Sequence, residues 1–138
     1  MKKIILIFFL ILIMSGCNNT EDWHYDLINN YEIMRTSTNN IVLVKDENDL
    51  HNTIIETYIK EFAYDNNYIY IKRVDVVSDQ VIDNITAYYI INMETEEIFS
   101  TNDKEKFDQK LKELKIINIT WQKTNPTPKG AEYWWQKN

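Results

Sequence analysis

The chain has 138 residues, one cysteine and a formal net charge of −6. A single cysteine excludes an intrachain disulfide, so packing must stabilise the fold, and nine tyrosines, five phenylalanines and four tryptophans supply apolar area for it. The acidic balance disfavours binding to nucleic-acid phosphate and to anionic lipid headgroups. These totals predict one acidic domain with no nucleic-acid partner.

The first residues have the order of an export signal. Lys2 and Lys3 precede an apolar run of eleven residues over 4–14. This run suits the core of a signal peptide and is too short for a membrane-spanning helix, which needs about 20 residues. Removal of residues 1–16 takes away two lysines and no acid, which changes the net charge from −6 to −8.

The four residues Met14-Ser15-Gly16-Cys17 resemble a lipobox, although Met14 stands where leucine is usual. The resemblance implies a diacylglyceryl group on the Cys17 thiol and cleavage between Gly16 and Cys17. We therefore expect a signal peptide over 1–16, a lipidated cysteine and tether over 17–22, and a single domain over 23–138. The expected location is the extracytoplasmic face of the cell membrane, with palmitate-type acyl chains as the anchor.

Two hairpins are predicted in the first half of that domain. Alternating and β-branched residues indicate strands over 31–35 and 41–45. Aromatic and β-branched residues indicate a second pair over 57–64 and 68–74, joined by the turn-forming segment 65–67. The pattern therefore favours antiparallel neighbours along this part of the chain.

Later segments predict further strands and one helix. Residues 87–92 and 98–99 indicate a strand and its short return, 116–121 suggests a last strand, and 50–55 is ambiguous. A helix is predicted over 103–114. Asn102 and Glu105 have capping-box spacing at its start, and Phe107, Leu111 and Leu114 follow as its apolar stripe. We expect an α+β fold with a mostly antiparallel sheet of five or six strands and one C-terminal amphipathic helix packed on one face.

Several short motifs resemble a family of small lipoproteins of Gram-positive bacteria that is known only as a domain of unknown function. The motifs are Trp23-x-Tyr25-Asp26-Leu27, Tyr31-Glu32-Ile33, the segment 62–69, Tyr89-Ile90-Ile91-Asn92, the stripe from Phe107 to Leu114, and Pro126-x-x-x-Gly130-Ala131. The resemblance implies a shared fold and location, and it implies no activity.

Asp22, His24 and Asp26 place three metal-capable residues at alternate positions, which would share one side of an extended segment. They indicate either a weak divalent-metal site or a polar tether that contains a histidine. The second interpretation is favoured because metal sites usually need more convergent ligands than one flexible stretch supplies. We therefore predict no metal and no cofactor.

The sequence offers no catalytic constellation. Cys17 is acylated on the interpretation above, and none of the serines after it lies in a glycine-flanked turn. Acidic pairs such as Asp46 with Glu47 fall in predicted loops, where solvated charge is the simpler explanation. We predict that the protein is not an enzyme.

Aromatic residues are the predicted binding face. Alternation puts Tyr68 and Tyr70 on one side of a strand and Ile69 and Ile71 on the other, where we expect the isoleucines to face the helix. The candidate face comprises Tyr68, Tyr70, Tyr133, Trp134 and Trp135. The strand tyrosines either form an exposed binding surface, or are covered by the C-terminal tail or simply stabilise cross-strand pairing. The three tail aromatics either pack on the sheet or form an exposed hook for a partner or for the membrane interface.

The expected function is therefore that of a membrane-anchored, non-catalytic binding or accessory protein of the cell envelope. Its partners would be the membrane, through the lipid on Cys17, and an unidentified protein or envelope component. One alternative is an immunity-type protein that neutralises a basic toxin at the outer membrane face, which the acidic charge would suit. The other alternative is a small envelope enzyme.

Overall fold

The structure is a computed structural model and describes residues 22–136. The predicted signal peptide, its cleavage site at Gly16 and Cys17, and residues 17–21 of the predicted tether lie outside the described residues. Among the residues that are described, no helix is both long enough and apolar enough to cross a membrane.

The described chain forms twelve β-strands and one α-helix. The strands are β1 (Trp23–Asp26), β2 (Tyr31–Ser37), β3 (Asn40–Glu47), β4 (Leu50–Ile55), β5 (Ile59–Tyr64), β6 (Tyr68–Arg73), β7 (Val76–Val77), β8 (Gln80–Val81), β9 (Ala87–Asn92), β10 (Ile98–Thr101), β11 (Gln122–Lys123) and β12 (Glu132–Tyr133). The helix α1 spans Lys104–Glu113, and a short 3-10 helix follows β12 over Trp134–Gln136.

Ten strands form two antiparallel sheets. Sheet A has the order β12-β1-β2-β3-β4 and sheet B the order β10-β9-β6-β5-β11, whereas β7 and β8 pair with each other. The predicted hairpins correspond to β2–β3 and β5–β6. The expected α+β class, mostly antiparallel with one C-terminal helix, is confirmed, and the strands divide between two sheets of five.

The main hydrophobic core lies between the two sheets. Trp23, Ile33 and Leu43 project into it from sheet A, and Phe62 and Ile71 project from sheet B, all of them fully buried. Side chains alternate along a strand, so each of these strands has an apolar row that must be covered. Two sheets packed face to face bury both rows without a disulfide.

Helix α1 covers the other face of sheet B. Phe107 is buried and stacks on Tyr88 with ring centroids 5.0 Å apart, and Tyr70 belongs to the same cluster. The expectation that Ile69 and Ile71 face the helix is wrong, because both project into the core between the sheets. Sheet B is covered on both faces, so the alternation along β6 does not reveal which row meets the helix.

Three local features were either ambiguous in the sequence or differ from the predicted elements. The ambiguous segment 50–55 forms strand β4, and the segment 116–121 contains no strand. The helix cap is Asp103 rather than Asn102, since the Asp103 carboxylate accepts a hydrogen bond of 2.8 Å from the backbone N–H of Glu105.

Asparagine and aspartate close the turns of sheet A. Asn48 and Asp49 both have positive φ (55° and 63°) in the two-residue turn between β3 and β4. Asn29 and Asn30 adopt the same conformation before β2, with φ of 55° and 64°. These residue types tolerate left-handed backbone better than most, which suits a chain with only two glycines.

Candidate functional site

One side of sheet A combines histidines and carboxylates. Trp23 and Tyr25 of β1 pack in the core, so His24 and Asp26 project from the opposite side, which is named here the outer face of sheet A. Glu32 of β2 stands directly opposite Asp26 in the strand register. Opposite residues on antiparallel strands share a face, so Glu32 joins the two β1 side chains.

Strands β3 and β4 extend this polar row. Asp46 of β3 pairs with His51 of β4, and its position three residues after the core residue Leu43 places it on the outer face. The outer face thus carries metal-capable side chains from four adjacent strands. They are His24, Asp26, Glu32, Asp46 and His51.

Two trios of these residues bring their ligand atoms within 4.8 Å of one another. The first trio is His24, Asp26 and Glu32, and the second is Glu32, Asp46 and His51. In the first trio, His24 Nδ1 lies 3.1 Å from Asp26 Oδ1 and 3.8 Å from Glu32 Oε2. Glu32 therefore links the trios, and His24 is buried whereas His51 is exposed.

The His24 imidazole has further neighbours near the chain's C-terminal end. Its ring lies 4.9 Å from the Trp134 ring, and its Nε2 is 3.8 Å from Glu132 Oε2, which is too far for a hydrogen bond. The interpretation of His24 as part of a polar tether is wrong, because the residue lies in β1 and is 1% exposed. Asp22 belongs to neither trio, and Glu32 takes its place.

Three buried polar atoms of the outer face lack a hydrogen-bond partner: His24 Nε2, Glu32 Oε2 and Asp46 Oδ1. Over residues 22–136, no lysine or arginine forms an ion pair with Asp26, Glu32 or Asp46. A buried carboxylate oxygen without a donor or a cation is costly. The chemistry that this face favours is therefore the binding of a cation or of a hydrogen-bond donor.

On the core side of β3, in contrast to the outer face, carboxylates are paired with a lysine. The Lys45 ammonium pairs with Glu96 and, at 3.0 Å, with Glu47, and it lies 5.5 Å from the centre of the Tyr31 ring. Hydrogen bonds to Glu96 and then to Glu47 raise the pKa of Lys45. Within residues 22–136, lysine therefore compensates the acidic charge on this side of β3, whereas the outer-face carboxylates have no lysine or arginine partner.

Apolar residues border the polar row on the outer face. Met34, Val42 and Val44 form a separate buried cluster, and Val44 is the register partner of Glu32. Apolar neighbours exclude water and strengthen electrostatic interactions beside them. A cation at Glu32 would therefore be held more strongly than at an open surface carboxylate.

The aromatic residues predicted as a binding face lie in two separate places. Tyr68 and Tyr70 belong to β6 in sheet B, where Tyr70 is buried against the helix layer and Tyr68 is half-buried. Tyr133 lies in β12 at the edge of sheet A, and Trp134 and Trp135 follow in the 3-10 helix. Tyr68 and Tyr70 therefore belong to a different sheet from Tyr133, and Tyr70 is not exposed.

The sequence interpretation missed Glu32 and Glu132 as neighbours of His24, and it missed the grouping of Asp46 and His51 with Glu32. A partial signal was present, since Glu32 is a charged residue between the apolar residues Tyr31 and Ile33 of β2. An acidic side chain in such a strand indicates a polar outer face. The grouping itself depends on the register of four strands, which no local pattern specifies.

The fold and the site together define the class of this protein as an α+β domain of two antiparallel sheets, with one helix on sheet B and a polar cluster on sheet A. A family described as Protein of unknown function (DUF3997) matches residues 28–125, so the chain belongs to that family. No curated protein and no solved structure matches the chain. The predicted membership of a family of unknown function is thereby confirmed.

Proposed function

We propose that this protein is a lipoprotein of Gram-positive type, held on the extracytoplasmic face of the cell membrane by acyl chains on Cys17. The observation that carries the anchor is the order of Lys2 and Lys3, the apolar run 4–14 and the lipobox-like residues that end at Cys17. The first strand begins at Trp23, so only a short polar stretch separates that cysteine from the fold. Two acyl chains bind a bilayer far more firmly than one.

Cys17→Ser tests this anchor. The variant lacks the thiol that accepts the diacylglyceryl group, so we expect it to lose labelling by a palmitate analogue and to accumulate unprocessed or leave the membrane fraction. Met14→Leu, which installs the usual lipobox residue, is the matched control and should keep both label and attachment. A Cys17→Ser product that is still cleaved after residue 16 and stays on the membrane would contradict the lipid anchor.

The anchored domain is proposed to act as a non-catalytic binding or accessory protein of the envelope. The end of the sandwich has a cleft of about 370 Å³ whose lining includes Trp23, Arg35 and Tyr58. The described residues that line it include no histidine, carboxylate or cysteine. A cleft of this size with aromatic walls and a few polar groups supports a binding role.

Crosslinking on intact cells tests the binding role. The full chain with a C-terminal tag should capture one discrete envelope partner. Tyr68→Ser and Trp134→Ser change one aromatic on each of the two candidate surfaces, and the variant that loses the partner identifies the surface. Tyr70→Ser is unsuitable because Tyr70 is buried. Absence of any captured partner with the wild-type chain would contradict a protein-binding role.

A further inference from the structure

We propose that the outer face of sheet A binds one divalent transition-metal ion of the Zn²⁺ class through His24, Asp26 and Glu32. The inference rests on the first trio and its surroundings, and it is independent of the lipid anchor. It assigns a ligand to a group of side chains in which the buried Glu32 Oε2 atom has no hydrogen-bond partner.

The spacing of the ligand atoms fits a single ion. Two ligands placed about 2.1 Å from a tetrahedral ion lie about 3.4 Å apart. The distances from His24 Nδ1 to Asp26 Oδ1 (3.1 Å) and to Glu32 Oε2 (3.8 Å) bracket that value. The ligand atoms of Asp26 and Glu32 lie within 4.8 Å of each other. Movement of the two carboxylates toward His24 Nδ1 would bring the three atoms around one ion and leave a fourth position for water or another ligand.

Burial of Glu32 supplies an independent reason for a cation. The Glu32 side chain is 13% exposed, and its Oε2 atom is buried without a hydrogen-bond partner. His24 beside it is 1% exposed. Among the described residues, no lysine or arginine pairs with this carboxylate. A metal ion would satisfy the orphaned oxygen and offset the cost of burying its charge.

Glu132 is placed to orient the histidine. When Nδ1 ligates a metal, the imidazole proton resides on Nε2. That atom is buried, has no hydrogen-bond partner and points to Glu132 Oε2 at 3.8 Å. A carboxylate behind a ligating histidine is a common outer-shell arrangement. Glu132 therefore acts as a positioning residue. The Trp134 ring, whose centroid lies 4.9 Å from that of the imidazole, adds a second restraint.

The donor set selects the class of ion. One imidazole nitrogen with two carboxylates suits Zn²⁺ and similar transition metals, whereas Mg²⁺ and Ca²⁺ prefer oxygen ligands alone. Mg²⁺ in large excess should therefore leave bound Zn²⁺ in place.

Calorimetric titration of ZnCl₂ into the full chain tests the site, with the protein in mild detergent after treatment with a chelator. The wild type should bind one Zn²⁺ ion. Asp26→Asn alters a ligand whose side chain is 65% exposed, so the variant should fold normally and bind Zn²⁺ at least about tenfold more weakly. Glu32→Gln should weaken binding similarly. Circular dichroism of the metal-free variants checks that they are folded.

His51→Gln is the matched control, because His51 lies on the same face and belongs to the second trio. It should leave the affinity for Zn²⁺ unchanged. Glu132→Gln should weaken binding by about tenfold without moving the melting temperature of the metal-free chain. The proposal is overturned if the wild type binds no Zn²⁺, if Asp26→Asn binds as tightly as the wild type, or if His51→Gln abolishes binding while Asp26→Asn does not.

Discussion

Asp65 organises the turn between β5 and β6. Its carboxylate accepts hydrogen bonds from the backbone N–H groups of Asn67 and Tyr68, each at 2.8 Å, and from the Tyr70 hydroxyl at 2.6 Å. Burial alone would raise the pKa of Asp65, but the Tyr70 and backbone hydrogen bonds together lower it. The same contact, after burial, raises the pKa of Tyr70. One residue thus joins a turn to the helix-side cluster of sheet B.

Asp65→Asn should therefore make stability less dependent on pH. A carboxyl group whose pKa is lower in the folded state contributes stability above its unfolded pKa, about 3.9, and that stability is lost as the pH falls through the folded pKa. We expect the variant to lose about 1 kcal/mol of unfolding free energy at pH 7 and much less at pH 3. Urea denaturation at both values measures this, and an equal loss at both would show that charge is not the cause.

Helix α1 ends in a left-handed residue that is not glycine. Lys115 has φ of 58°, and its N–H donates to Lys112 O at 3.0 Å. The Ile116 N–H donates to Leu111 O at 2.9 Å, which completes a Schellman motif. Glycine is the usual residue at this position because a Cβ is disfavoured there.

Lys115→Gly should accordingly stabilise the protein by about 1 kcal/mol, since it removes the left-handed cost at the helix end. Lys115→Ala is the control, because it removes the charge but keeps the Cβ. Urea denaturation of the two variants separates the effects. If the Lys115→Gly variant is no more stable than Lys115→Ala, the left-handed backbone at Lys115 does not reduce the stability of the protein.

The fold is a two-sheet sandwich, and β1, the first described strand, contributes to its hydrophobic core. Trp23 is fully buried between the sheets at the start of β1, and β1 also pairs with β12 at the other end of the described chain. The two ends of the fold therefore meet at one edge of sheet A.

Trp23→Ala should cost about 3–5 kcal/mol, because it leaves a large cavity between the sheets. That is a substantial part of the roughly 5–15 kcal/mol by which a domain is stable. Trp134→Ala, at a residue 36% exposed, is the control and should cost much less. Circular dichroism during urea denaturation measures both, and a small effect of Trp23→Ala would mean that β1 is not integral to the domain.

Local sequence patterns were sufficient for the hairpins β2–β3 and β5–β6 and for helix α1, whose period and polar flanks depend on residues close together in the chain. The order of charge, apolar run and Cys17 likewise predicts an anchor from adjacent residues alone. The cap is one residue later than the predicted Asn102, because local spacing does not fix the backbone geometry that lets Asp103 accept from the helix N–H groups.

The tertiary structure alone decided how the strands divide between two sheets and which row of β6 meets the helix. It also decided that Glu32, from the next strand, and Glu132, from near the end of the described chain, both lie beside His24. The physical reason is that strand order and register follow from the joint burial of many distant apolar rows, whereas composition and periodicity report only on neighbours in sequence.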